Sequence, residues 1–176
     1  MTMSFWVKRG ILSDANVMFI YGTAGNFESA RFNADNTLSV FGPYMSTQQG
    51  TFTTTQVFRD PSAWYHIVVV YNTTNATPAN RILLYVNGNQ VTSFSSSTNS
   101  NINNTTTEWL VSGLESDIGN GASAARHLDG YITEINVIDG QALTPSSFGS
   151  TNAITGVWQP AKYTGTYGTN GFYLNF

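Results

Sequence analysis

With no cysteine anywhere in its 176 residues, the chain has no disulfide, no thiolate metal site and no cysteine nucleophile. Its fold must be held by packing and hydrogen bonds, which is compatible with assembly in a reducing cytoplasm. Charge is also scarce. Only 10% of residues are charged, and seven Lys and Arg stand against ten Asp and Glu, for a formal net charge of −3. Seven scattered cations make no basic stripe, which excludes nucleic acid and anionic membranes as partners. No apolar run approaches the length of a bilayer span, and the opening MTMSFWVKRGIL lacks a basic segment followed by a long apolar one. Neither membrane insertion nor an export signal is expected. The two histidines do not make a zinc site. LSDAN and SDIGNG offer only two or three of the roughly six to eight oxygens that calcium takes, so no metal site and no cofactor is assigned.

What is present is hydroxyls, amides and aromatics. Ser, Thr and Asn make up about a third of the chain, which covers the surface with neutral hydrated groups. The 41% apolar and 14% aromatic content is enough for one full core, so residues 1–176 are expected to form a single domain. Residues 150–176 read as a C-terminal extension that packs on it or leads to a further region.

Period two dominates along the chain. Met3, Phe5 and Val7 alternate with Ser4, Trp6 and Lys8, and Ile67, Val69 and Tyr71 alternate with His66, Val68 and Val70. Asn87-Gly88 in RILLYVNGNQVTSF predicts a hairpin over 81–94 with a type I′ turn. Further strands are expected over 16–21, 27–33, 37–41, 130–138 and 171–176. One helical turn is expected in LTPSSFG, with Thr144 as cap and Pro145 at its first position. The low-complexity stretch 93–109 is expected to be a mobile rim loop. These elements predict an all-β sandwich or barrel. The strands at the two termini are expected to present open edges, blunted only at the first by Lys8 and Arg9.

No catalytic constellation is expected from the sequence. Asp60, Ser62 and His66 in DPSAWYHIVVVYN place an acid and a hydroxyl in a turn and the histidine inside a strand whose two faces are apolar. No glycines surround the serine as a nucleophile elbow requires. Glu115 and Asp117 have the i, i+2 spacing of a carboxylate pair, but no third acid follows. Glu134 is expected on one face with Ile132 and Ile138. No catalytic residue is assigned, and the chain is expected not to be an enzyme. A sugar site needs an aromatic platform with amides or carboxylates beside it. Tyr44, Trp109, Trp158, Tyr163 and Tyr167 lie outside strand alternation and are the candidate platforms, with Asn103, Asn104 and Glu108 as hydrogen-bonding neighbours. Trp6, Trp64, Phe19 and Ile135 are assigned to the core.

Taken in order, SFWVKRG, DPSAWYHIVVVYN, RILLYVNGNQV and HLDGYITEINVIDGQALTPSSFG resemble the concanavalin A-like, laminin G-like jelly-roll family over residues 3–149. The residues carrying the likeness are Phe5 and Trp6, Trp64 and His66, Tyr85 to Gly88, Gly130, Ile132 and Glu134, and Leu143 and Phe148. The resemblance implies a two-sheet antiparallel jelly-roll sandwich whose concave face or rim loops often hold glycans. WVKRG together with the tail VWQPAKYTGTYGTNGFYLNF further resembles versions of this domain in bacteriophage virion proteins, of marine and cyanobacterial phages especially. That likeness implies a non-enzymatic structural and adhesion module of a tail fibre, tail or capsid decoration. Its location would be the virion, assembled in host cytoplasm, and its partners other virion proteins, copies of itself as a homo-oligomer, and host glycans. A lectin-like module of a secreted or cell-surface protein is the alternative. The glycosidase members' acid triplet and the pentraxin-type calcium loop have no matching positions here.

Overall fold

The structure, a computed structural model, describes residues 1–21, 27–42, 50–99, 115–120 and 126–176. Its strands are β1 (Thr2–Arg9), β2 (Ala15–Tyr21), β3 (Phe27–Phe32), β4 (Thr37–Phe41), β5 (Thr51–Val57), β6 (Tyr65–Tyr71), β7 (Ile82–Val86), β8 (Asn89–Gln90), β9 (Phe94–Thr98), β10 (Glu115–Ile118), β11 (Gly130–Ile138), β12 (Gly149–Thr151), β13 (Trp158–Pro160) and β14 (Phe172–Leu174). Two antiparallel sheets face each other, one ordered β14-β11-β1-β6-β7-β8 and the other β10-β2-β3-β4-β5-β9. The core between them joins Phe5, Val7, Ile67, Val69 and Val137 of the first sheet to Val17, Phe32, Leu38, Val40 and Phe52 of the second. This is the all-β, two-sheet antiparallel sandwich that the sequence predicts. The β7–β8 turn also matches, with Asn87 at φ 48° and Gly88 at φ 82°. The expected 3-10 turn forms at Pro145–Ser147, although Thr144 caps it with no side-chain hydrogen bond, and a second, unexpected one forms at Pro78–Asn80.

The first sheet is covered on both sides. Val68, Val70 and Ile138 point away from the main core and pack under Phe148, Leu143, Tyr163 and Tyr167. These come from an arm, residues 139–176, that returns over the sheet, folds into the β12–β13 hairpin and adds β14 beside β11. That is why β6 reads as apolar on both faces.

Three expectations are corrected. β1 is not an open edge but lies between β6 and β11. Its Arg9 does not guard an edge either, being fully buried over the Phe32 ring at 4.6 Å, with its guanidinium donating to Phe58 O at 2.6 Å and to Ser13 O at 2.9 Å. Residues 94–98, expected in a loop, form β9 against β5, because Phe94 packs edge-on to Phe52 with centroids 5.0 Å apart and anchors the serine run. Glu134 and Ile132 do not share a face. A bulge sets Glu134 and Ile135 opposite the single residue Phe5, with Glu134 at φ 52°, so that Ile132 and Ile135 both turn inward.

Candidate functional site

His66 lies at 0% exposure on the outer face of the first sheet, where the arm closes over it. Trp6 stacks on its ring at 4.9 Å and 17°, and Trp158 of the arm lies 5.9 Å away on the other side at 24°. The Trp158 indole Nε1–H donates to His66 Nδ1 at 2.9 Å, and His66 Nε2 lies 2.8 Å from Ser4 Oγ. An indole nitrogen only donates, so Nδ1 must be the bare acceptor and Nε2 must carry the proton toward Ser4. Burial accordingly lowers the pKa of His66 from 6.5 to about 4. Ser4 and His66 thus resemble a nucleophile and base but hold the wrong tautomer. Nε2 already bears the hydrogen that a base would have to remove, and tryptophan occupies the position where an acid would orient the ring.

Asp60 and Ser62 are not part of this centre. The Asp60 carboxylate accepts the Ser62 amide at 2.8 Å and the Ser62 hydroxyl at 2.6 Å, a closed turn on the surface. Those bonds hold its pKa below the usual range, with Lys8 contributing less. LSDAN and SDIGNG meet through the pairing of β2 with β10, yet Asp14 lies between Arg126 Nε at 3.0 Å and Arg31 Nε at 3.6 Å, an ion-pair network. Among the described residues, no group of three or more potential ligands is gathered for a metal ion.

The arm's aromatics are anchors. Trp158 fills a slot floored by two glycines: a Cβ at Gly149 would come within 2.5 Å of the indole, and one at Gly88 within 2.8 Å. Tyr163 packs 5.3 Å from both Phe148 and Tyr167, and its hydroxyl donates to Thr166 O at 3.1 Å. Tyr167 donates to Asn136 Oδ1 at 3.1 Å, and burial, then Tyr163 and Glu134, raise its pKa. Glu134 Oε1 in turn accepts the Tyr173 hydroxyl at 3.0 Å. Tyr44, Asn103, Asn104, Glu108 and Trp109 lie outside the described residues, as does the Phe19 side chain. Trp6 and Ile135 are buried as expected.

Trp64 is the residue that sequence reasoning misplaced. It is 39% exposed instead of core, because it precedes β6 and the arm flanks it without closing over it. Val7 pairs with Tyr65 and Lys8 with Tyr131, so Trp64, Lys8 and Tyr131 form a row across three strands on the outer face. The rings of Trp64 and Tyr131 meet at 6.4 Å and 52°, and Tyr131 is 66% exposed. On one side of Trp64 a hollow of about 640 Å³ is lined by Tyr131, Leu128, Ile132, Thr133 and Phe176. On the other, a hollow of about 410 Å³ runs between Trp6, Thr133 and the arm residues Val157, Trp158, Gln159 and Pro160. Trp64 and Thr133 border both, and this pair of hollows flanking Trp64 is the aromatic trough. Its signal in the sequence was the side-chain alternation of β1, β6 and β11, which sets Trp64 and Tyr131 on one face. Its exposure depends on which part of the face the arm covers.

Comparison with known proteins agrees with the sandwich. The family model of the concanavalin A-like lectin/glucanases superfamily matches residues 1–147. Among solved structures, the native heptameric SAP-like pentraxin of Limulus polyphemus aligns with TM-score 0.53 at 14% identity, over 99% of this chain and 79% of that one. Domains LG4-5 of the mouse laminin alpha1 chain align with TM-score 0.47 at 9% identity, over 99% of this chain and 41% of that one. No curated protein matches. The match spans every strand from β1 to β11 and stops short of β12, β13 and β14, and on it the chain belongs to the concanavalin A-like lectin/glucanase superfamily.

Proposed function

We propose that the domain is a non-catalytic adhesion module that holds a surface saccharide against Trp64 and Tyr131, and that it is displayed on a virion. The observation that carries the adhesion reading is the exposed pair of touching aromatic rings on a sheet face that is otherwise sealed by the arm. Sugar rings present C–H faces that stack on aromatics, while Gln159 at the trough supplies an amide for their oxygens, and the Thr133 hydroxyl, which donates to Phe176 O at 2.9 Å, can still accept from their hydroxyls. Membership in a superfamily that includes lectins supports the same ligand class. The locked Ser4–His66 pair supports a non-catalytic role. The virion setting is supported by the likeness of WVKRG and of the tail from Val157 to Phe176 to phage virion proteins, and by the weakly charged surface. Partners in that setting are other virion proteins or further copies of the chain. The outer edge of β14, unpaired among the described strands, could accept a neighbour's strand.

The test has two parts. The purified domain should bind host cells, and periodate oxidation of their surface sugars should abolish that binding; attachment that survives oxidation removes the saccharide. Peptides of this chain should be found in purified particles. Their recovery from the secreted fraction instead would favour the lectin-like extracellular alternative.

A further inference from the structure

We infer that the domain carries a second saccharide site, sized for a single sugar ring, in a hollow at the far end of β6 from Trp64; the site is separate from the trough and does not depend on it. The hollow, about 300 Å³, lies between β6, β7 and the start of the arm, with Val70, Leu83, Tyr85 and Leu143 as its apolar lining. That volume is at the lower end for small-ligand sites and limits the occupant to one ring. Six residues of extended chain separate Trp64 from Val70, so the two sites stand about 20 Å apart.

Tyr85 supplies the platform. It pairs with Val68 on one side and Gln90 on the other, packs half-buried against the outer cluster, and its hydroxyl bonds to no described residue. Amides surround it. Gln90 stands beside Tyr85 on the neighbouring strand, and Asn72, Asn75 and Asn80 come from the loop between β6 and β7. That loop is fixed before any ligand arrives. The Asn72 backbone N–H donates to Arg81 O at 2.7 Å, and Arg81, 8% exposed, donates to Asn75 O at 2.9 Å and to Ala76 O at 3.2 Å. Asn72 Oδ1 accepts the Thr74 hydroxyl at 3.2 Å, and Asn75 Oδ1 accepts the Thr77 backbone N–H at 2.9 Å. With those oxygens engaged, both Nδ2 groups are left as donors, while the Asn80 and Gln90 carboxamides bond to no described residue and can donate and accept. A sugar ring matches this set: its C–H face lies on Tyr85 and Leu83, and its hydroxyls exchange hydrogen bonds with the amides. No lining residue is charged, so recognition rests on hydroxyls. Prior fixing of the loop lowers the ordering cost of binding.

The experiment is NMR of the side-chain amides of the folded chain, titrated with the methyl glycosides of glucose, galactose, mannose and N-acetylglucosamine. At least one should shift the amide protons of Asn72, Asn75, Asn80 and Gln90 to saturation. It should bind at least tenfold tighter than glycerol, which has hydroxyls but no ring, and than cyclohexanol, which has a ring but one hydroxyl. Combining Asn80→Ala with Gln90→Ala, at two exposed positions without side-chain bonds, should weaken it at least tenfold and leave the denaturation midpoint in place. Tyr85→Phe, which deletes only the hydroxyl, should weaken it about threefold. Trp64→Ala should leave the shifts unchanged, and their loss in that variant would overturn the separateness of the two sites. Silence of these amides toward every glycoside, an equal response to glycerol, or undiminished binding by the double variant would each overturn the inference. Silence here with periodate-sensitive cell attachment overturns this site and leaves the trough standing. Saturable shifts here with periodate-resistant attachment uphold this site and remove the saccharide from the trough.

Discussion

Trp64 and His66 are two residues apart, face the same side of the same sheet, and have opposite fates. His66 is sealed at 0% exposure between Trp6 and Trp158 with both ring nitrogens engaged, whereas Trp64 is 39% exposed beside a trough. The residue type that suggests catalysis became structural, and the type that suggests core became surface. The difference lies not in the strand but in the arm, which closes over His66 through Trp158 and only flanks Trp64. Burial on this face is therefore decided by residues nearly a hundred positions downstream.

The comparison is broken most severely by withdrawing the arm. Trp158→Ala should cost about 3 kcal/mol, near the low end for an enclosed tryptophan because this one is only partly covered. It should also expose His66 to solvent, erasing the contrast with Trp64. Chemical denaturation measures the loss, and hydrogen exchange should show residues 149–174 losing protection before β1 and β6 do.

Acid should achieve the same more gently. The folded-state pKa of His66, about 4, lies below its ordinary 6.5, so on acidification the unfolded chain takes up the proton first. The stability held by neutral His66 is complete above about pH 6.5 and is lost as pH falls toward about 4, a loss on the order of 3 kcal/mol. Protonated Nδ1 cannot accept the Trp158 N–H, so the arm should loosen first. In His66→Phe the part of the pH slope between those two values should vanish; an unchanged slope would assign it to other groups.

How much of this was legible depended on the range of the interaction. The β1 and β6 alternation, the Asn87-Gly88 turn and the burial of His66 follow from neighbours in sequence and were readable. The partners of His66 were not, because Ser4 and Trp158 reach it across separations of 62 and 92 residues. The bulge at Glu134 was hidden because one extra residue leaves no mark on composition, yet it moves Ile132 and Ile135 onto the same side. Trp64 failed for the same reason as Trp158: no local pattern says which residues a distant arm covers.

A smaller perturbation sharpens the buried half alone. Ser4→Ala leaves the His66 Nε2–H without its acceptor at 0% exposure and should cost about 1–3 kcal/mol by denaturation, with the arm still docked. A larger loss with arm release would mean that Ser4 and Trp158 act as one network.

The exposed half should respond in the opposite sense. Trp64→Ala removes a ring that is 39% exposed, so it should cost clearly less stability by chemical denaturation than Trp158→Ala, while cell attachment falls at least tenfold. A residue that costs little stability and much binding is what a ligand platform predicts, whereas a core tryptophan would show the reverse. If Trp64→Ala destabilises as strongly as Trp158→Ala and attachment merely tracks the folded fraction, the two regions are one packing unit, and the contrast between them is only a difference in solvent contact.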